Sequence, residues 1–156
     1  MIQLKKILVP TDFSEFSAPA LKYGAAIAAR FDSQLHLLHV CPDPAMLMPE
    51  AAGLGAAGVI DQSDQWEIKA REQLQHLPED GWENSRDVVR SVATGSAYYE
   101  IIAYARQQDI DLIVLGTHGR SGFSHLLMGS VAENVVRKSP CPVLTVKPDG
   151  HQFVMP

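Results

Sequence analysis

The sequence contains little cysteine, and it has no long apolar run. Its two cysteines, Cys41 and Cys141, are too few for a disulfide-stapled scaffold, and the prolines that flank Cys141 give it no activating base. We therefore expect two free thiols in a reducing compartment. No run approaches the about 20 apolar residues that cross a bilayer, and we see no secretory signal. These absences predict a cytoplasmic protein that makes no membrane contact.

Positive charge is also scarce. Lysine and arginine number 13 against 18 acidic residues, which gives a formal net charge of −5. Non-specific binding to nucleic acid depends on a basic surface, so this balance argues against a nucleic-acid partner. A chain of 156 residues predicts one domain that folds without a metal. We expect residues 1–148 to form it and residues 149–156 to be a C-terminal tail.

Short apolar runs alternate with helical patterns along the chain. Such alternation predicts an α/β fold, with a parallel sheet and helices on both of its faces. Ser14 and Ser17 are candidate N-caps of the first helix, and Pro19 is tolerated in its first turn. Residues 42–62 read as a loop with a short helical turn at 45–52. The expected strands are 5–10, 35–40, 87–92, 111–116 and 142–147, and the expected helices follow the first four of them, the second spanning 61–77.

Small polar residues and glycines follow the first and fourth strands. Thr11 and Asp12 end the first strand, the run Gly116–Gly119 ends the fourth, and Gly129-Ser130 precedes a helical pattern. In an open parallel sheet, ligands bind beyond the carboxyl ends of the strands. Glycine lets backbone N–H groups approach an anion, and a helix N-terminus supplies further donors. The pattern therefore predicts a phosphate site, provided that the first and fourth strands are neighbours.

Other residues have a functional and a structural interpretation. Asp12 could accept hydrogen bonds from a ribose, or it could form an Asx turn or N-cap beside Ser14. Arg120 could reach a phosphate or remain solvated, and Ser130 is a better phosphate ligand than Ser121 because it begins a helix. His118 and His125 could contact a ligand, whereas His36 and His39 read as ordinary strand residues. No ligand spacing for a metal site is evident.

Several motifs together resemble the universal stress protein family. The run Gly116-x2-Gly119-x9-Gly129-Ser130 matches the ATP-binding pattern of that family, G-x2-G-x9-G-[S/T]. The stretches 7–12, 116–122, 127–133 and 139–144 are also similar to it. The resemblance implies a Rossmann-like, adenine nucleotide alpha hydrolase-like fold whose five strands lie in the order 3-2-1-4-5. It further implies a homodimer paired through the last strand, residues 143–147, and a bound adenine nucleotide with a divalent ion.

On this basis we expect ATP, or AMP or ADP, with or without Mg²⁺ or Mn²⁺. The nucleotide would lie between the tips of the first and fourth strands, with the backbone of Val40 on its adenine side. The expected binding residues are Pro10, Thr11, Asp12, Val40, Gly116, Thr117, His118, Gly119, Arg120, Gly129, Ser130 and Val131.

Three functions are compatible with these observations. The first is a regulatory protein of the stress response, in which nucleotide occupancy alters the dimer, the loop at 42–62 or an unknown regulatory partner. The second is a dimeric interaction module that is indifferent to nucleotide. The third is an ATPase. Its turnover would be slow, because a Walker lysine and the known adenylyl-transfer signatures are absent and Asp12 is the one carboxylate that we assign to the site. We assign no catalytic residue.

Overall fold

The computed structural model describes residues 3–44, 56–78, 87–118 and 128–148. Within these ranges the strands pair in parallel in the order β3-β2-β1-β4-β5, which confirms the α/β fold and the expected order. The elements alternate as predicted: β1 Lys6–Pro10, α1 Ala18–Phe31, β2 Gln34–Cys41, α2 Ala56–Gln75, β3 Val88–Thr94, α3 Ala97–Gln107, β4 Leu112–Gly116, α4 Ser130–Lys138 and β5 Val143–Val146.

The central strands are buried on both faces, as their continuous apolar runs predict. Ile7, Leu8 and Val9 of β1 are each fully buried. Because successive side chains alternate across a sheet, Ile7 and Val9 join one core cluster with α1 and α2, while Leu8 joins a second with α3 and α4. The two faces of the sheet therefore have separate cores, and each is covered by a pair of helices.

Helix α1 lies very close to the sheet. A Cβ atom at Gly24 would lie 2.3 Å from Cγ2 of Val9, so only glycine allows this approach. Ser17 occupies the N-cap, but its side chain makes no capping hydrogen bond. The reason is its helical backbone (φ −87°, ψ −20°), since a capping residue is normally extended. Its hydroxyl instead donates to the carbonyl of Ser14.

The expected boundary of the second helix was wrong. Helix α2 begins at Ala56, five residues before the expected start, and includes Gly58. A single glycine inside a helix costs only about 1 kcal/mol relative to alanine, so Gly58 does not stop it. The predicted helical turn at 45–52 and the predicted tail at 149–156 lie outside the described residues. Within the described ranges, no helix is both long and apolar enough to span a membrane.

Candidate functional site

A cleft of about 380 Å³ opens at the carboxyl ends of β1 and β4. These two strands are adjacent, and β1 also pairs with β2 on its other side. The strand order therefore reverses between β1 and β4, which is the point where open α/β sheets hold their ligands. The condition that the sequence left open, adjacency of the first and fourth strands, is met.

Most of the expected binding residues line this cleft. Gly119 and Arg120 lie outside the described residues, as do Ser121 and His125. Those brought together at the cleft are Pro10, Thr11, Asp12, Val40, Gly116, Thr117, His118, Gly129, Ser130 and Val131.

The sequence interpretation missed further lining residues, which come from helix and strand faces rather than from strand tips. Leu38 shares the parity of Val40 on β2, so the two-residue period of a strand could have identified it. The helical spacing of Ile101 predicts no more than a core position. The full set of additional residues is Ser17, Leu38, Ala97, Ile101, Leu115 and Ala132.

One wall of the cleft is apolar. Leu38, Val40, Ile101 and Leu115 all line it, and all four belong to the core on the α3/α4 face or pack against it. Such a wall has no charge to neutralise and suits a flat, weakly polar ring better than a phosphate.

The N-terminus of α4 forms another part of the cleft lining. The first hydrogen bond of this helix runs from the amide of Glu133 to the carbonyl of Gly129 at 2.9 Å. The N–H groups of Ser130, Val131 and Ala132 consequently have no acceptor within the helix, and all three residues line the cleft. Together with the helix dipole they form a positive, donor-rich end suited to an anion.

Gly129 and Gly116 serve different purposes. Gly129 is the extended N-cap of α4 (φ −70°, ψ 154°), a conformation open to any residue. Its amide donates to the carbonyl of Thr117 at 2.6 Å, which fixes the start of α4 against the end of β4. A Cβ atom at Gly116 would lie 2.8 Å from the carbonyl oxygen of Phe16. Gly116 is therefore required by packing, whether or not a ligand is bound.

The loop after β1 contains the Asx turn that was one interpretation of Asp12. Oδ1 of Asp12 accepts hydrogen bonds from the amide of Ser14 at 3.0 Å and from its hydroxyl at 2.6 Å. The hydroxyl of Thr11 accepts from the amide of Phe13 at 3.1 Å and lies 3.2 Å from that of Ser17. The carboxylate of Asp12 is thus held in place at the edge of the cleft.

The family model of the universal stress protein family matches residues 3–147. The chain belongs to this family. Universal stress protein MJ0577 of Methanocaldococcus jannaschii is 32% identical over 156 aligned residues, covering 94% of this chain and 96% of the relative. A structure solved for the MJ0577 protein covers 96% of this chain and 100% of its own, at 30% identity and a TM-score of 0.82.

Two more distant structures share the fold of this universal stress protein and contain nucleotides. One is a universal stress protein in complex with cAMP, at 21% identity and a TM-score of 0.63, covering 95% of this chain and 100% of its own. The other, from Archaeoglobus fulgidus, is in complex with dAMP, at 18% identity and a TM-score of 0.56, covering 93% and 98%.

The cleft of this universal stress protein offers few groups for bond-making chemistry. Asp12 is the one carboxylate among the described residues that line it. Cys141 is not among the lining residues, and burial raises the pKa of its thiol, which disfavours the reactive thiolate. Among the described residues, no three His, Cys, Asp or Glu side chains are grouped so as to hold a metal ion.

Proposed function

We propose that this universal stress protein binds an adenine nucleotide, ATP or its products ADP and AMP, and acts as a regulatory protein of the stress response. The observation that carries the proposal is that an apolar wall and the first three residues of α4, whose amides have no acceptor within the helix, line a single cleft of about 380 Å³. A nucleotide has the matching arrangement, an apolar base at one end and an anion at the other.

In the proposed arrangement, the adenine lies against the wall of Leu38 and Val40, with its edge at the backbone of Val40. The ribose lies near Asp12. The phosphates lie at Ser130 and the amides that follow it. Gly119 is assigned to them through the family pattern, and Arg120 as a loop arginine that could reach them. A divalent ion, Mg²⁺ or Mn²⁺, would be held mainly by the phosphates, since Asp12 is the one carboxylate among the described lining residues.

The complexes of related folds with cAMP and dAMP support this ligand class. Both ligands join adenine to a single phosphate group. The feature common to them is therefore the adenine and its nearest phosphate, and our proposal places the corresponding groups at the apolar wall and at α4. The choice of ATP over shorter nucleotides rests on the complete G-x2-G-x9-G-[S/T] pattern.

We further propose a homodimer that pairs through β5. This strand lies at one edge of the described sheet, so one side of its backbone has no partner strand there. Leu144 of β5 and Val136 of α4 are also exposed apolar side chains.

We also propose that residues 1–148 act as a single domain and that residues 149–156 are its tail. The protein is further proposed to work in the cytoplasm with a regulatory protein partner.

Nucleotide extraction and titration test the binding proposal. We expect adenine nucleotide in the acid extract of the purified protein, and we expect calorimetric binding of Mg-ATP but not of Mg-GTP to the stripped protein. Absence of nucleotide in the extract, together with no thermal shift on adding Mg-ATP, would contradict the proposal. A dimer unaffected by nucleotide would then favour the interaction module. Turnover that survives rigorous purification and falls in Asp12→Ala would instead indicate the slow ATPase.

Substitution of Gly129 tests the proposed phosphate position. The extended backbone of Gly129 accepts valine without strain, so Gly129→Val should fold, with a loss of about 1 kcal/mol from the poorer N-cap. Its branched side chain should block the approach of the phosphate and abolish ATP binding in calorimetry. Arg137→Ala is the matched control, because Arg137 lies on the same helix, is exposed and does not line the cleft, and its ion pair is with Glu133, which does not line it either. Normal binding by Gly129→Val would refute the position.

A further inference from the structure

His39 lies on the face of the sheet away from the cleft. It sits between Leu38 and Val40 on β2, and both of those side chains line the cleft. Because successive side chains of a strand point to opposite faces, the His39 ring points to the α1/α2 side. It is only 8% exposed. A direct contact between its ring and a ligand in the cleft is therefore excluded.

The ring of His39 nevertheless contacts the loop that supplies Asp12. Its Nδ1 lies 2.8 Å from the carbonyl oxygen of Thr11, so Nδ1 carries the hydrogen and donates it. Its ring also stacks on that of Phe13, with centroids 4.4 Å apart and planes 28° apart. Thr11 and Phe13 are the residues on either side of Asp12. His39 therefore contacts the chain on both sides of Asp12, the residue that we propose binds the ribose.

Phe13 has a backbone conformation that needs such support. Its φ of 63° is in the left-handed region, which costs about 1–2 kcal/mol for a residue with a Cβ atom. Its amide bonds to the Thr11 hydroxyl, and the amide of Ser14 bonds to Asp12. These bonds fix the shape of the loop, but they join residues of the loop to each other. The bonds from the Thr11 amide to Leu38 and from His39 to the Thr11 carbonyl join the loop to β2.

We propose that His39 is a positioning residue of the nucleotide cleft, which acts from the opposite face of the sheet by holding Thr11 and Phe13 so that Asp12 faces the ligand. The inference rests on the proposed function, since it assigns a role in binding that same nucleotide. It changes the interpretation of His39 from an ordinary strand residue to one that the site depends on.

Paired substitutions of the two β2 histidines test this role. His39→Leu removes the donor and the stacked ring, whereas His39→Asn retains an amide donor near the position of Nδ1. His36→Leu is the matched control, because His36 is also buried, at 2% exposed, and its hydrogen bonds go to Tyr104 and Gln34 rather than to the loop. We would measure the Kd for Mg-ATP by calorimetry and the melting temperature of each variant.

We expect His39→Leu to weaken ATP binding about fivefold to tenfold, the equivalent of one hydrogen bond. His39→Asn should recover most of that affinity. His36→Leu should lower the melting temperature with unchanged Kd. An unchanged Kd in His39→Leu, or an equal loss in His36→Leu or His39→Asn, would overturn the inference. If His39→Leu does not fold, Phe13→Gly replaces it, since glycine adopts this φ without strain but lacks the ring that stacks on His39. An unchanged Kd in Phe13→Gly would also overturn the inference.

Hydrogen exchange separates failure of this inference from failure of the proposed function. If the wild type binds no nucleotide, the proposed function fails, but the loop can still be examined by NMR. We expect the amide protons of Phe13 and Ser14 to exchange faster in His39→Leu than in the wild type and in His36→Leu. Equal exchange in the two leucine variants would overturn the positioning role.

Discussion

Replacement of Gly116 by alanine tests whether the first glycine of the family pattern serves packing. The added Cβ would lie 2.8 Å from the carbonyl oxygen of Phe16 and 3.3 Å from that of His118. Both are backbone atoms, so a change of side-chain rotamer cannot relieve the contact. Either the end of β4 or the segment before α1 must move by several tenths of an ångström. We therefore expect Gly116→Ala to be destabilising.

The expected destabilisation by Gly116→Ala follows from the cost of overpacking. Inserting a carbon where no space exists costs about 1–3 kcal/mol, and for a chain of this length each 1 kcal/mol lowers the melting temperature by about 2–4 °C. Gly116→Ala should therefore melt roughly 2–12 °C below the wild type in calorimetry. Its ATP affinity should fall less than that of Gly129→Val, because Gly116 provides packing and Gly129 provides access. A melting temperature within about 1 °C of the wild type would refute the close approach.

Two further predictions concern stability away from the cleft. Burial, and secondarily the charge of Lys6, lowers the pKa of His36 below its ordinary 6.5, with Asp87 opposing the shift. The stability contributed by neutral His36 is therefore complete above pH 6.5 and is lost as the pH falls below it, by at most about 1.4 kcal/mol per pH unit. Urea unfolding of His36→Leu should show a shallower loss between pH 7 and pH 5, and an identical slope would contradict this. Arg90 donates to the carbonyls of Leu74 and Leu77 at the end of α2, at 2.9 Å and 2.8 Å. Arg90→Ala should lower the free energy of unfolding in urea by about 1 kcal/mol, a small loss because the site is exposed. Arg90→Lys should not restore it, since lysine lacks the planar guanidinium that reaches both carbonyls; full recovery would contradict this role.

The strands were predictable because each is a short apolar run between polar punctuation. Which strands lie side by side in the sheet was not predictable in this way. The pairing of β1 with β4 joins segments about a hundred residues apart, such as Ile7 and Leu112. The order came from the resemblance to the family. Helix boundaries were less accurate, since residues 42–62 read as a loop although α2 begins at Ala56 and continues through Gly58.

The polar part of the site was predictable for a related reason. Residues at strand tips are adjacent in the sequence to the strands that position them, so Thr11 and Thr117 could be assigned once the strands were recognised. The apolar wall depends on which face each side chain takes after packing, so Ile101 read only as core. His39 was the hardest to assign, because its hydrogen bond to Thr11 joins residues 28 positions apart, one on β2 and the other directly after the neighbouring strand β1.

The cleft illustrates why a glycine pattern alone does not establish a phosphate site. Gly116 is explained by the carbonyl of Phe16 without any ligand, and Gly129 has a φ of −70° that needs no glycine. Of the two pattern glycines that the structure describes, Gly129 is thus the one that no described packing contact explains, and it caps a helix whose first three residues line the cleft. The proposed anion site therefore depends on the amides of α4 and on Gly129, whereas Gly116 serves the packing of the fold.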